Sequence, residues 1–252
     1  MPDVPLVDAD HPGTWPTALT DAIDYACSSF RSSIPPESDY SILAELAADE
    51  YEFVLDAMEP WIRHALRGTM LLVHHATRLL AHEVDAVRSE GLLRATRDRV
   101  KLRHDLAREA GEISTGEYDA LLGATVHEMP QQPVGALRRD AEVCAVTTRS
   151  PVIRGKLDTY FSKWGGEIHT ANEQAWKNAQ LRRLRTLGDP YLVTAVIDAS
   201  DTEVADTGGT PGLAYTFAAT ALGLKTNDGL VHYLGDIPAN QIRQIAPFTA
   251  QV

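Results

Sequence analysis

Cysteine is nearly absent. Cys27 and Cys144 are the only two in 252 residues, too few for a disulfide-stapled secreted mini-domain or a four-cysteine zinc framework. Both are expected as free thiols of a reducing, cytoplasmic compartment. Positive charge is also short: 23 Lys plus Arg against 35 Asp plus Glu leave a net charge of −12. Such a surface repels phosphate backbones, which argues against non-specific nucleic-acid binding. Long apolar runs are missing. The central one is Met70-Leu71-Leu72-Val73, far short of the about 18–20 residues of a membrane span, so no membrane association is expected. The first ten residues carry neither a basic start nor an apolar stretch, so no signal peptide is expected in them. Neither GxGxxG nor GxxxxGK[ST] occurs and no βαβ rhythm repeats, which argues against a Rossmann or P-loop enzyme.

What is present is ordinary globular composition, 44% hydrophobic and 23% charged, enough apolar surface for a real core. Residues 1–16 read as an irregular lead-in. Leu19, Ile23, Ala26 and Phe30 recur at helical spacing from Thr17 onward. After the break at Ser32–Ser38, Asp39 can cap a second helix, and Pro60 is expected to end or kink it. A short third helix runs from Trp61 to Leu66. Thr69–His75 then reads as a buried strand, Leu80–Ser89 as a helix stopped at Gly91, and 92–122 as charged helix with breaks at Gly111 and Gly116. Ala141–Thr148, Tyr191–Asp198 and Leu230–Leu234 read as strands, 200–212 as a loop, and Pro238–Ile245 as a short helix. The fold class expected is α+β, with a helical N-terminal segment over 1–65 and a second domain over 66–252.

Three islands carry residues suited to chemistry. In the first, a strand delivers His75-Ala76-Thr77 at its end, and a helix packs back and stops at Gly91-Leu92. In the second, Gly155 to Glu167, the aromatics Tyr160, Phe161 and Trp164 stand beside Gly165-Gly166-Glu167. One reading is a helix end, with the aromatics filling the core and the glycines stopping the helix. The other is a ligand site: the glycines admit a ligand to the backbone, a π face stacks on a flat ring, and Glu167 supplies charge. In the third, a late strand over Leu230–Leu234 precedes Ile237-Pro238-Ala239-Asn240-Gln241-Ile242.

A strand ending His-small-Ser/Thr, a helix and then Gly-Leu resembles the opening motif of the ADP-ribosyltransferase superfamily. It is nearest the histidine-bearing branch of diphtheria toxin and the poly-ADP-ribose polymerases. Ala76 stands where that branch usually has Gly. The Ile-Pro-Ala-x-Gln-Ile after the late strand is similar to the final strand of many members. The resemblance implies two small sheets with NAD, as substrate, in the cleft between them, and no metal. It gives His75 a ribose hydroxyl to bind and Thr77 the adenosine side. Tyr160 or Trp164 would stack on nicotinamide, beside Gly165 and Gly166. Active members begin the last strand with a glutamate that steadies the oxocarbenium-like transition state. Here that stretch offers Val231, His232 and Tyr233. Either Glu167 supplies the charge from another element, or His232 acts, or the chemistry is lost. Standalone bacterial members of this kind resemble toxins or phage-defence effectors. That implies a macromolecular acceptor, protein or nucleic acid, and a neutralising antitoxin partner.

Two alternatives stay open. One is a catalytically inactive protein that keeps the fold as an interaction module. The other is a helical HEPN-type ribonuclease, suggested by Arg99 and His104 in an Arg-x4-His spacing. His75, His82 and Glu83 match no metal-site spacing.

Overall fold

The computed structural model describes residues 4–28, 52–94, 96–122, 143–149, 164, 183–204, 213–224, 230–233 and 235–248. Their helices and strands make the fold mixed α and β, as the sequence leads one to expect. In chain order they are β1 (Leu6–Val7), α1 (Thr17–Ser28), α2 (Glu52–Ala65), β2 (Met70–Leu79), α3 (Ala81–Glu90), β3 (Gly91–Leu92), α4 (Arg97–Glu109) and α5 (Thr115–Leu121). There follow β4 (Val143–Val146), β5 (Asp189–Asp198), β6 (Thr202–Val204), α6 (Leu213–Ala221), β7 (Leu230–Tyr233), β8 (Ile237–Pro238) and β9 (Ile242–Pro247). The main sheet is hydrogen-bonded in the order β6-β7-β4-β2-β5-β9, with β1 on β2; β3 and β8 form a separate pair.

The chain divides into two compact units. The first comprises Met1–His74, Ala145–Lys156 and Thr194–Tyr233. Its helices α1, α2 and α6 bury Leu19, Ile23, Cys27, Ile62 and Phe217, with Trp15 edge-on to Phe217 at 5.0 Å. Helix α2 runs through Pro60 rather than ending there. Tertiary contacts override the local penalty: Ile62 and Leu66 are fully buried beyond the proline, and Glu59 accepts from the Ala214 N–H at 2.8 Å, in the first turn of α6. Helix α6 has no polar face to betray it, since every residue from Leu213 to Ala219 is buried. Strand β1 lies parallel to β2, with Leu6 opposite Met70, and β6 lies antiparallel to β7, with Glu203 opposite His232. The expected loop at 200–212 thus begins with a strand; most of it, like 32–51, lies outside the described residues.

The second unit comprises His75–Cys144, Leu157–Val193 and Leu234–Val252. Its core joins Leu80, Ala107, Ile113, Tyr118, Leu121, Trp164, Leu184 and Leu187. Gly116 sits inside the first turn of α5 rather than breaking a helix, whereas Gly111 does separate α4 from α5. The helix expected over 238–245 shrinks to a single turn at Ala239–Gln241, followed by strand β9. Strand β9 is the last in the sheet order, which is where Pro247 is tolerated in a strand.

Gly91 explains why a glycine must follow α3. It closes the helix through its N–H to the Val87 carbonyl, takes a φ of +98°, and pairs with Pro238 across the β3–β8 ladder. A Cβ there would collide with the carbonyl of Ile237. Replacing Gly91 with Ala is expected to cost about 2 kcal/mol or more, through backbone strain and the clash together. Urea unfolding would check this, and a cost below about 0.5 kcal/mol would contradict the pairing.

Candidate functional site

The three islands singled out in the sequence meet through their backbones. Gly91 and Leu92 of the first pair antiparallel with Pro238 and Ile237 of the third. Arg78, at the end of the first island's strand, forms a parallel bridge with Trp164 of the second. All of these residues belong to the second unit.

His75 and Thr77 share one face of β2, because side chains alternate along a strand. His75 is half-buried, and its Nδ1 lies 2.7 Å from the Cys144 carbonyl oxygen. A carbonyl can only accept, so Nδ1 carries the proton and Nε2 is an acceptor in the neutral ring. Thr77 is buried, with its hydroxyl 3.5 Å from the Arg78 carbonyl. Trp164 is fully buried in the core. Its ring lies under the Arg103 guanidinium at 4.9 Å and against His104 at 5.6 Å. It is a core residue, not an open stacking platform. His232 is buried on β7 in the first unit. Tyr160, Gly165, Gly166 and Glu167 lie outside the described residues.

Arg99 and His104 are not brought together. Five residues apart on α4, they point to different sides: His104 is fully buried beside Trp164, while Arg99 is partly exposed and donates to Asp236 Oδ1 at 2.7 Å. The sheet is itself incompatible with the all-helical architecture that pair would need.

The residue that organises this region is Glu83, which the sequence offers only as a metal-ligand candidate of the wrong spacing. Its Oε2 accepts from the Leu80 N–H at 2.7 Å, from Trp164 Nε1 at 3.0 Å and from Arg103 Nη2 at 3.0 Å. Its Oε1 accepts from Arg103 Nε. Burial pushes the carboxyl up, but the Arg103 charge and these donors outweigh it and hold the group below its ordinary value. Arg103 in turn donates to the Arg78 carbonyl at 3.1 Å, and Arg78 donates to the carbonyls of Thr186, Leu187 and Gly188. One carboxylate thus ties the first turn of α3 to α4 and to Trp164, and through Arg103 reaches the end of β2. Locally Glu83 is an acid in the first turn of a helix. Its partners are 20 and 81 residues away.

Two buried histidines complete the picture. His74, with Nδ1 3.1 Å from Thr194 Oγ1, lies in the first unit, and its Nε2 has no hydrogen-bond partner among the described residues. Burial, with Arg149 adding to it and Asp8 opposing, pushes His74 down to about 4. Burial and Arg103 do the same for His104, against Glu83 and Asp105. Among the described residues no three His, Cys, Asp or Glu side chains are placed to hold a metal ion, and no helix is long and apolar enough to cross a membrane. Comparison with protein-family models, with curated proteins and with solved structures found no match.

Glu83→Gln keeps the side chain's size but leaves Arg103 without its counter-charge. It is expected to destabilise the protein by about 3 kcal/mol in urea unfolding, and a variant as stable as the parent would contradict the clamp. The histidines set a pH window. Unfolded, each titrates near 6.5; folded, each stays neutral until about 4. Below pH 6.5 the unfolded chain therefore binds more protons, and stability falls as pH drops from about 6.5 to 4, by a total on the order of 3 kcal/mol at pH 5. Unfolding followed from pH 8 to pH 4 should be level above about 7 and decline below it. A flat profile down to pH 4.5 would refute the assignment.

Proposed function

We propose that the chain is an NAD-dependent ADP-ribosyltransferase-like effector, of toxin or phage-defence type, that transfers ADP-ribose to a macromolecule or cleaves NAD. One observation carries the reading. The islands that resemble this superfamily, far apart in sequence, are paired through Gly91-Leu92 with Ile237-Pro238 and through Arg78 with Trp164. His75, whose Nδ1 is held by the Cys144 carbonyl, would bind a ribose hydroxyl through Nε2, with Thr77 on the same face of its strand. With Trp164 committed to the core, Tyr160 is the residue for nicotinamide stacking. Gly165 and Gly166, which directly follow Trp164, allow close approach of the ligand.

Cleaving the nicotinamide–ribose bond builds positive charge on the sugar, and a carboxylate in a water-poor site stabilises it. Glu167 is assigned that role and His232 is the alternate. The chemistry asks for no metal. A cytoplasmic site of action, an acceptor macromolecule and a neutralising antitoxin belong to the same proposal. A second reading, an inactive interaction protein with the same fold, is favoured by one feature: β7 carries Val231, His232 and Tyr233 and no glutamate.

Incubation with labelled NAD and cell extract tests both. The enzyme reading expects release of nicotinamide and label on protein or nucleic acid. Glu167→Gln should lower the rate about 100-fold or more, while His75→Ala weakens NAD binding measured by calorimetry. Full activity in Glu167→Gln with loss in His232→Ala would move the catalytic role to β7. No binding and no release would leave the inactive reading.

A further inference from the structure

Helix α4 has two apolar faces. One is spent on the core: Val100, His104 and Ala107 are buried. The other carries Leu102 and Leu106, which are 54% and 43% exposed. At about 100° per residue these leucines point roughly 200° away from the buried stripe, so they face outward from the second unit. Three residues outside each leucine stands a charge, the two of opposite sign, Arg99 before and Glu109 after. The line therefore reads Arg99, Leu102, Leu106, Glu109, with spacings of three, four and three.

That pattern is its own complement when reversed. Two copies laid antiparallel about a two-fold axis, midway between Leu102 and Leu106, bring Leu102 of one against Leu106 of the other. The same axis sets Arg99 at the level of Glu109 of the second copy, at both ends of the contact. Such isologous matching is what a two-fold interface requires, residue i meeting j while j meets i. Arg99 is held in place on this face by its ion pair with Asp236, Nη1 donating to Oδ1 at 2.7 Å. The same oxygen takes the Arg94 N–H at 2.9 Å, and Leu93, the residue before it, is 39% exposed. Glu109 is exposed.

We infer that this outer face of α4 is a homodimer interface, formed by antiparallel pairing of the helix with its copy in a second chain. The inference does not rest on the proposed enzyme activity. A helix of this length is about 20 Å long, and one such contact buries less than a standard-size interface. The dimer is accordingly weak, with a dissociation constant of about 10–100 µM.

Sedimentation equilibrium of the full chain between about 1 and 300 µM reads it directly. The expected result is a monomer–dimer equilibrium whose dissociation constant rises about tenfold or more in the double variant Leu102→Glu, Leu106→Glu. Both side chains are exposed, so circular dichroism should show the parent fold. A gentler pair tests the register. Leu102→Cys mixed with a tagged Leu106→Cys should form the mixed disulfide faster than either variant forms its own. The native Cys27 and Cys144 are buried and stay out of the reaction. A monomer throughout the range would overturn the inference and leave the face to a different partner. A dimer untouched by the glutamates, or no preference for the mixed disulfide, would overturn it equally.

Discussion

Glu83 holds a negative charge where little water reaches it, and a bare carboxylate there would cost several kcal/mol. The second unit is built around meeting that cost. The Leu80 amide, the Trp164 indole and the fork of Arg103 all turn toward the two oxygens. Each donor sits on a different stretch of chain, so satisfying the charge fixes where those stretches lie. Arg103 passes the constraint on to the carbonyl of Arg78, and Arg78 to the carbonyls of 186–188. Gly188 takes a φ of +68°, and a Cβ there would press on the Leu79 backbone, so this chain segment too is matched to the end of β2. A buried network of this kind discriminates strongly against misplacement, because any broken link leaves a charge or dipole unpaired.

Strands β2, β4, β5 and β7 are legible in the sequence because they are apolar and bounded by turn residues, whereas β1, β3, β6 and β8, of two or three residues each, are too short to show a pattern. Met70–Leu79 and Asp189–Asp198 extend the expected strands by a few residues without moving them. Helix α6 escaped because burial all round erases the amphipathic period. Strand β9 reads as helix in the sequence because Pro238 followed by polar residues is locally a helix start, whereas its partner in the sheet lies some 50 positions earlier in the chain, at β5. The site was legible in composition but not in geometry. His75 reads in the sequence as a strand-end histidine, whereas β2 continues four residues past it to Leu79, and its tautomer depends on a carbonyl 69 residues away. Trp164 admitted both a core and a stacking reading, and only the placement of Glu83, Arg103 and His104 around it decides for the core. Glu83 itself gave almost no signal, since nothing local distinguishes it from a helix-capping acid.

The proposed NAD site asks two things of this arrangement. The first is an acceptor for a ribose hydroxyl, the role proposed for His75, whose proton the Cys144 carbonyl fixes on Nδ1. The second is a carboxylate at the developing sugar cation. With no glutamate on β7, that demand falls on Glu167, three residues after a tryptophan locked by Glu83. Glu83 holds Trp164 in the core, and Glu167, proposed to carry the catalytic charge, follows it three positions on in the sequence.

The most direct measurement of that account is a crystal structure of the protein bound to a non-hydrolysable NAD analogue. The account requires the analogue's adenosine ribose within hydrogen-bond distance of His75 Nε2, and its nicotinamide ribose within reach of the Glu167 carboxylate. An analogue bound elsewhere, or a Glu167 side chain turned away from the sugar while the analogue occupies the His75 face, would contradict it.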